Sequence, residues 1–207
     1  MTPRGAPARA ALLCAALLLA ACSKAPSLAP LAPDAVIVAF GDSLTFGTGA
    51  AEGESYPAQL GRMIGRRIVD ASVPGEVSAA GLERLPAVLD EYQPQLLLLC
   101  EGGNDFLRQI GKRQAADHVR AMVRLAKTRG IDVLLIGTPQ PGLTVTPPEF
   151  YAEIAKEFRI PYEGKVIGRI LRDEALKSDP IHPNAAGYRL MAGSVAALLK
   201  KSGALGR

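Results

Sequence analysis

Residues 35–44 read AVIVAFGDSL. An unbroken apolar run over 35–40 is followed by a glycine, an aspartate, a serine and a leucine. A short apolar run that is rich in β-branched residues and leads into a polar turn predicts a strand buried on both faces. Similar runs occupy residues 68–73, 95–100 and 131–137, and a weaker one lies at 160–162. The pattern therefore predicts a mostly parallel sheet of five strands.

Amphipathic stretches separate the predicted strands. They lie at residues 56–65, 86–92, 114–129, 148–158 and 184–200. Alternation of strands and helices is typical of an α/β domain, in which helices cover both faces of a parallel sheet. We therefore predict one three-layer α/β/α domain over residues 35–207, flavodoxin-like in its winding, with the functional site at the carboxyl ends of the strands.

The composition excludes several classes of function. Of the 207 residues, 48% are hydrophobic and 21% are charged, which is the balance of a globular protein. Lys and Arg number 24 against 20 Asp and Glu, and no basic cluster accompanies a nucleic-acid-binding motif. The three Cys and two His lack the spacing of a zinc site or a disulfide framework. We expect no nucleic-acid partner, and a chemistry based on serine, aspartate and histidine.

The first 21 residues have the pattern of a secretory signal peptide. Arg4 and Arg9 precede the apolar run 10–21, which is too short to span a bilayer. Residues 19–22, LAAC, resemble the lipobox of bacterial lipoproteins. The resemblance implies that residues 1–21 are removed and that Cys22 is lipidated and becomes the N-terminus. Cleavage of an ordinary signal peptide near Ala21 is the alternative.

Residues 23–34, SKAPSLAPLAPD, contain three prolines. Such a segment predicts a semi-extended tether, so that residues 22–34 would join a lipid anchor to the domain. If Cys14 is removed and Cys22 is lipidated, Cys100 has no disulfide partner. We expect a lipoprotein of the bacterial envelope that faces the periplasm. Ser23 after the cysteine implies, by resemblance to known sorting signals, the outer membrane more than the inner.

Polar or glycine-bearing turns follow three of the predicted strands. They are GDSL at 41–44, VPG at 73–75 and GGND at 102–105, and DPIHP lies near the end of the chain at 179–183. In their order and spacing, these four blocks resemble the SGNH (GDSL) hydrolase superfamily, over most of the chain after residue 36. The blocks are most similar to those of the bacterial arylesterase, acyl-CoA thioesterase I and lysophospholipase group.

The chemistry of three residues agrees with this resemblance. A serine hydroxyl is a weak nucleophile unless a base takes its proton and a third group orients that base. His182 can be the base for Ser43. Asp179 precedes His182 in a proline-stiffened turn and can reach the far ring nitrogen. We therefore expect Ser43, Asp179 and His182 to be the catalytic residues.

The resemblance also implies an oxyanion hole. Its donors would be the backbone N–H groups of Ser43 and Gly75 and the side-chain amide of Asn104. Pro74 and Val77 depart from the usual second block, but a proline leaves the N–H of the next residue available. Asn104 could instead cap the short helix that follows it.

Other polar residues are expected to be structural. We expect Asp42 and Asp105 to brace the turns at the strand ends by hydrogen bonds. Cys100 is expected to lie in the core, and His118 to be a partly exposed side chain of a helix. The sequence assigns no role to Glu101.

The resemblance implies hydrolysis of carboxylic esters or thioesters, such as aryl esters, acyl-CoA or lysophospholipids, through an acyl-enzyme and without a metal or cofactor. Phe106 and the loop 139–148 depart from the group at the expected acyl pocket, so the substrate stays open. Removal of O-acetyl groups from cell-wall sugars is a second possibility. A metallophosphoesterase and a non-catalytic envelope lipoprotein are the rival classes, and the sequence predicts no oligomeric state.

Overall fold

The computed structural model of the chain describes residues 26–140, 142 and 144–206. The predicted signal peptide and Cys22 therefore lie outside the described residues. Among the helices that are described, none has both the length and the apolar composition needed to cross a bilayer.

Five parallel strands form the centre of the domain. In chain order they are β1 (Ile37–Gly41), β2 (Ile68–Ser72), β3 (Leu96–Cys100), β4 (Asp132–Ile136) and β5 (Tyr162–Glu163). They lie side by side in the order β2-β1-β3-β4-β5, which is the flavodoxin-like order. The predicted fold is confirmed. In such a sheet, ligands bind where the strand order reverses, which here is the carboxyl end of β1 and β3.

The central strands are the ones whose sequences are apolar throughout. Every residue of β1 and of β3 is buried, and the two strands pair in parallel from Ile37 opposite Leu96 to Gly41 opposite Cys100. The edge strand β2 carries Asp70 and is only half-buried. A strand that is covered on both faces needs a continuous apolar run, and an edge strand does not.

Eight α-helices within the described residues cover the two faces of the sheet. They are α1 (Ser43–Phe46), α2 (Tyr56–Ile64), α3 (Ser78–Tyr92), α4 (Gly103–Leu107), α5 (Lys112–Thr128), α6 (Phe150–Phe158), α7 (Val166–Leu171) and α8 (Ala185–Lys201). The buried side chains of α3, α5 and α6 belong to one core cluster, and those of α2, α7 and α8 belong to the other. These clusters are the two interfaces of a three-layer sandwich.

Helix α3 is longer than the sequence predicts. It begins at Ser78, whereas the expected helix began at Pro86, which lies inside α3. A proline inside a helix removes one backbone hydrogen bond. The buried side chains of Leu85, Val88 and Leu89 hold α3 on the sheet and offset this loss. The short helices α1 and α7 were not predicted, because so few residues show no clear period.

Part of the predicted tether packs on the domain. Leu28 and Leu31 are buried in the core, and their N–H groups donate to the carbonyls of Ser202 and Ala204, at 2.9 Å each. We refer to residues 28–32 as the N-terminal strap. The segment that precedes the domain is therefore shorter than the expected tether over 23–34, because apolar burial fixes Leu28 and Leu31.

Candidate active site

Ser43 follows the central strand β1 at its carboxyl end. A side chain on Gly41 would collide with Thr45 and with the backbone of β3, so only glycine fits there. Asp42 then caps α1, because its Oδ1 accepts a hydrogen bond of 2.9 Å from the N–H of Leu44. This tight turn makes Ser43 the first residue of α1 and places it on the wall of a cavity.

His182 lies next to Ser43 although the two are 139 residues apart in the chain. The Nε2 of His182 is 3.0 Å from the Oγ of Ser43, and its Nδ1 is 2.7 Å from the Oδ2 of Asp179. The structure therefore brings together the three side chains that the sequence predicts as catalytic.

The surroundings of Asp179 favour its ionised form. Partial burial acts to raise the pKa of Asp179. The hydrogen bonds from the His182 ring and from the N–H groups of Ile181 and His182 outweigh burial and hold this pKa below its ordinary value. An ionised Asp179 keeps the proton of the imidazole on Nδ1, so that Nε2 can accept the proton of Ser43.

The segment that carries Asp179 and His182 is held at the start of α8. The N–H of Ser178 donates to the carbonyl of His182 at 2.9 Å. Asn184 caps α8 by accepting from the N–H of Gly187 at 3.1 Å, and its amide donates to the carbonyl of Ala175 at 2.9 Å. These bonds fix the position of the His182 ring before any substrate binds.

The loop after α1 packs against this segment. Gly49 has a φ of +96°, and a β-carbon there would collide with Ser178 and the carbonyl of Pro183. The hydroxyl of Tyr188 donates to the carbonyl of Thr48 at 2.8 Å. The turn of Ser43 and the segment of His182 are thus held together by direct contacts.

Two of the predicted oxyanion donors have no acceptor in the part of the chain that the structure describes. Within the described residues, the N–H groups of Ser43 and Gly75 donate to no protein group. Gly75 has a φ of +78°, a conformation that favours glycine, and its carbonyl accepts from the Nη2 of Arg108 at 2.7 Å. Both N–H groups are therefore available to an acceptor on a bound molecule.

Asn104 lies inside α4, and the N-cap of that helix is Gly102. The alternative in which Asn104 is a helix cap is therefore wrong. Its side-chain amide donates to the Oδ2 of Asp42 at 3.1 Å and to the carbonyl of Glu76 at 2.9 Å. The amide connects the turns that follow β1, β2 and β3, and both of its N–H groups have acceptors in the protein.

A chain of hydrogen bonds that the sequence did not predict holds α4 against α3 and α5. Asp105 accepts from the N–H of Ser78 at 2.8 Å and from its hydroxyl at 2.6 Å. The same hydroxyl lies 2.9 Å from the Nδ1 of His118. Because Ser78 and Asp105 are fully buried, this set braces the fold and offers no serine to a substrate. The residues come from three elements, so no local pattern could have revealed it.

Two further residues beside the site lie in the core. Cys100 is fully buried, as expected, and burial raises the pKa of its thiol well above the ordinary value. Glu101 accepts from the N–H of Gly102 at 3.1 Å, and its Oε1 has no partner among the described residues. Burial, followed by the charges of Asp42 and Glu76, raises the pKa of Glu101 well above the ordinary value. Burial therefore favours the protonated form of Glu101.

A cavity of about 260 Å³ opens beside Ser43 and His182. Among the described residues that line it, Asp42 and His182 are the ionisable ones. Most of the others are apolar and include Leu44, Leu107, Val145, Leu171, Pro180 and Ile181. The cavity is suited to an uncharged, apolar group bound next to the hydroxyl of Ser43.

Comparison with known proteins gives concordant results. The model of the GDSL-like lipase/acylhydrolase family matches residues 39–190. Thioesterase 1/protease 1/lysophospholipase L1 of Escherichia coli is 30% identical over 161 residues, which are 74% of this chain and 77% of that protein. Esterase TesA of Pseudomonas aeruginosa is 34% identical over 131 residues, which are 61% of this chain and 65% of the esterase. The chain thus spans just under two thirds of the length of that second relative.

Solved structures share the fold. The crystal structure of TesA has a TM-score of 0.71 at 26% identity and covers 81% of this chain and 99% of its own. The crystal structure of AlinE4, an SGNH-hydrolase family esterase, has a TM-score of 0.61 at 32% identity and covers 82% of this chain and 96% of its own.

Proposed function

Because the chain belongs to the GDSL-like lipase/acylhydrolase family, we propose that it is a serine hydrolase that cleaves esters through Ser43, His182 and Asp179. The observation that carries the proposal is the pair of distances at the His182 ring, 3.0 Å to Ser43 and 2.7 Å to Asp179. Membership of this family favours a hydrolase over a metallophosphoesterase and over a non-catalytic lipoprotein.

In the first half of the reaction, Ser43 becomes acylated. Its Oγ attacks the carbonyl carbon of the ester while its proton passes to the Nε2 of His182. A C–O bond forms, and the electron pair of the carbonyl double bond moves to the carbonyl oxygen. When the pair returns, the bond to the leaving oxygen or sulfur breaks, and that atom takes the proton from His182. Asp179 stabilises the imidazolium between the two transfers.

In the second half, water releases the acid. His182 takes a proton from the water as the water oxygen attacks the acyl carbon. The bond to the Oγ of Ser43 then breaks, and His182 returns the proton to the serine. The enzyme ends in the state in which it began, and neither half of the reaction requires a cofactor.

The developing oxyanion needs hydrogen-bond donors. We assign this role to the N–H groups of Ser43 and Gly75, which have no acceptor within the described residues. Asn104 is the third proposed donor. Its bond to Asp42 is 3.1 Å and its bond to Glu76 is 2.9 Å, so the longer bond is the one we expect an oxyanion to replace.

The cavity supports an ester whose acyl group is uncharged and apolar. Leu44, Leu171 and Ile181 line it beside the reacting residues. Aryl esters, acyl thioesters and lysophospholipids satisfy this requirement, and a relative with 30% identity is named a thioesterase and lysophospholipase. An acetyl group would leave most of the cavity of about 260 Å³ empty, which disfavours the O-acetyl alternative.

Replacing the nucleophile tests the proposal. Ser43→Ala should lower kcat on p-nitrophenyl esters by about 10⁶-fold, because the triad acts as a unit, and the thermal unfolding curve should stay unchanged. The matched control is Ser72→Ala at the carboxyl end of β2, where the hydroxyl donates to Asp70 at 2.5 Å. The control should keep wild-type activity. A folded Ser43→Ala variant with wild-type activity would falsify the assignment.

We also propose that the chain is lipidated at Cys22 and faces the periplasm as an envelope lipoprotein. The support is the sequence of residues 10–22, an apolar run that ends in LAAC. Wild-type protein should incorporate an alkyne-labelled fatty acid in a bacterial host and fractionate with membranes, and Cys22→Ala should do neither. Unlabelled wild-type protein in the soluble periplasmic fraction would refute the anchor and leave the esterase proposal intact.

A further inference from the structure

The N-terminal strap fixes the place where the chain enters the domain. The N–H of Ala29 donates to the Oδ2 of Asp132 at 2.9 Å, and the N–H of Ala32 donates to the Oε1 of Gln95 at 3.1 Å. Asp132 begins β4, and Gln95 immediately precedes β3. The strap therefore lies at the amino edge of the sheet, where the strands begin. Ser43 lies at the opposite, carboxyl edge.

Helix α8 gives the distance between the two edges. Its N-cap, Asn184, is two residues after His182, and its C-cap, Ser202, accepts the hydrogen bond from Leu28. The 17 residues of α8 span about 25 Å at 1.5 Å per residue. The active site and the strap are therefore separated by the full length of this helix.

Cys22 cannot reach the level of the active site while the strap stays in place. Six peptide units separate Cys22 from Leu28. Whatever conformation they adopt, they extend at most about 3.6 Å each, or about 22 Å in all. This reach is shorter than α8. Cys22 therefore stays on the strap's side of the level of His182, and the chain leads to its lipid from the edge that lies opposite the active site.

The amino edge carries exposed charged residues of both signs. Exposed basic residues at the amino edge include Arg67, Arg159, Lys200 and Lys201. Arg129 is also exposed there and pairs with Asp90 at 2.7 Å, and the other exposed acids of this edge include Asp34 and Glu91. Of these named residues, five are basic and three are acidic. A surface of this charge is attracted to anionic lipid headgroups.

We propose that the amino edge and its strap face the anionic surface of the bilayer that holds the Cys22 lipid, and that the active site opens away from this bilayer. The inference rests on the lipidation of Cys22 in the proposed function. The enzyme then receives esters from the aqueous side and does not hydrolyse lipids of its own bilayer. The alternative is the opposite orientation, in which the exposed apolar side chains of Phe46 and Leu107 contact the bilayer. The test has to exclude this alternative.

A quenching experiment tests the orientation. The chain from residue 22 onward, which contains every described element, is coupled through Cys22 to a maleimide lipid in vesicles of phosphatidylcholine and phosphatidylglycerol. Cys100 is fully buried and does not compete. A fluorescent phosphonate labels Ser43, and spin-labelled lipids quench the dye only when it contacts the bilayer.

The matched control couples the same chain at the carboxyl edge, through Lys112→Cys in a Cys22→Ser background. Lys112 is exposed at the start of α5. We expect quenching to be at least about threefold stronger when the protein is coupled through residue 112 than when it is coupled through Cys22. Coupling through residue 112 holds the carboxyl edge, and with it the dye on Ser43, next to the bilayer. Equal or stronger quenching through Cys22 would overturn the proposal. Chemical coupling makes this result independent of whether cells lipidate Cys22.

A second measurement does not depend on Ser43. Uncoupled Lys200→Glu/Lys201→Glu should bind phosphatidylglycerol vesicles at least about tenfold more weakly than wild type in a sedimentation assay. Lys112→Glu/Arg113→Glu makes the same charge change at the carboxyl edge and should leave binding unchanged. If the second pair weakens binding more than the first, the proposed surface is wrong. If the chain does not react with the phosphonate but the two double variants bind vesicles as expected, the proposed hydrolase activity is refuted and the proposed membrane surface is not.

Discussion

Asp42 connects the turn of Ser43 to the amide of Asn104 from a buried position. Its two oxygens accept from the N–H of Leu44 and from the Asn104 amide. Burial raises the pKa of Asp42 to about 6, although the bond from Leu44 and the charge of His182 act to lower it. The raised pKa means that the ionised form of Asp42 destabilises the folded state relative to the unfolded chain.

The sign of this effect gives a prediction. The folded state binds the proton of Asp42 more tightly than the unfolded state, so the full stability is present below pH 4 and part of it is lost as pH rises through about 6. Asp42→Asn removes this loss. The free energy of unfolding of the variant, relative to wild type, should rise by about 2 kcal/mol between pH 4 and pH 7 in urea titrations. If the free energies of unfolding of Asp42→Asn and wild type differ by the same amount at pH 4 and pH 7, the pKa assigned to Asp42 is refuted.

The proposed catalytic side chains could be anticipated one by one from the sequence. The ring of His182 lies within hydrogen-bond distance of Ser43 and of Asp179, as expected. The three residues could be identified because each belongs to a sequence block with its own local pattern. Glu101 had no such pattern. Burial, followed by the charges of Asp42 and Glu76, raises its pKa. The two carboxylates come from other turns, so only the packed structure reveals this effect.

Asn104 acts between elements, since its amide bonds join the turns that follow three strands. Asn104→Ala should lower kcat by about 10² to 10³-fold and leave KM nearly unchanged if the amide stabilises the oxyanion. Steady-state kinetics with a p-nitrophenyl ester measures both constants. Asn104→Asp, which keeps the size of the side chain but removes both N–H donors, should lose as much activity. An effect confined to KM in both variants would make Asn104 a binding or structural residue.

The sequence predicts elements well where one apolar period dominates, and less well elsewhere. Strands β1, β3 and β4 were expected within two residues of their observed ends, because each is a continuous apolar run. The start of α3 was missed because Pro86 reads as a helix start, while contacts with the sheet extend the helix back to Ser78. The N-terminal strap was missed because its prolines resemble a linker, and Leu28 and Leu31 find their partners at the far end of the chain.

The two proposals place two functions at opposite edges of one sheet. The carboxyl edge holds the proposed catalytic residues and the apolar cavity, and the amino edge holds the strap and exposed basic side chains such as Lys200 and Lys201. The parallel arrangement of all five strands makes this separation possible. The chain enters at the start of β1 and reaches Ser43 only at the end of that strand.

Intact-protein mass spectrometry after treatment with a fluorophosphonate tests whether the hydroxyl of Ser43 is the nucleophile. His182 should activate Ser43, so wild-type protein should gain one phosphonyl group, and peptide mapping should locate that group on Ser43. Ser72→Ala should react like wild type, and Ser43→Ala should gain no mass. Modification of any other residue in the wild-type protein, or equal labelling of Ser43→Ala, would show that Ser43 is not the nucleophile.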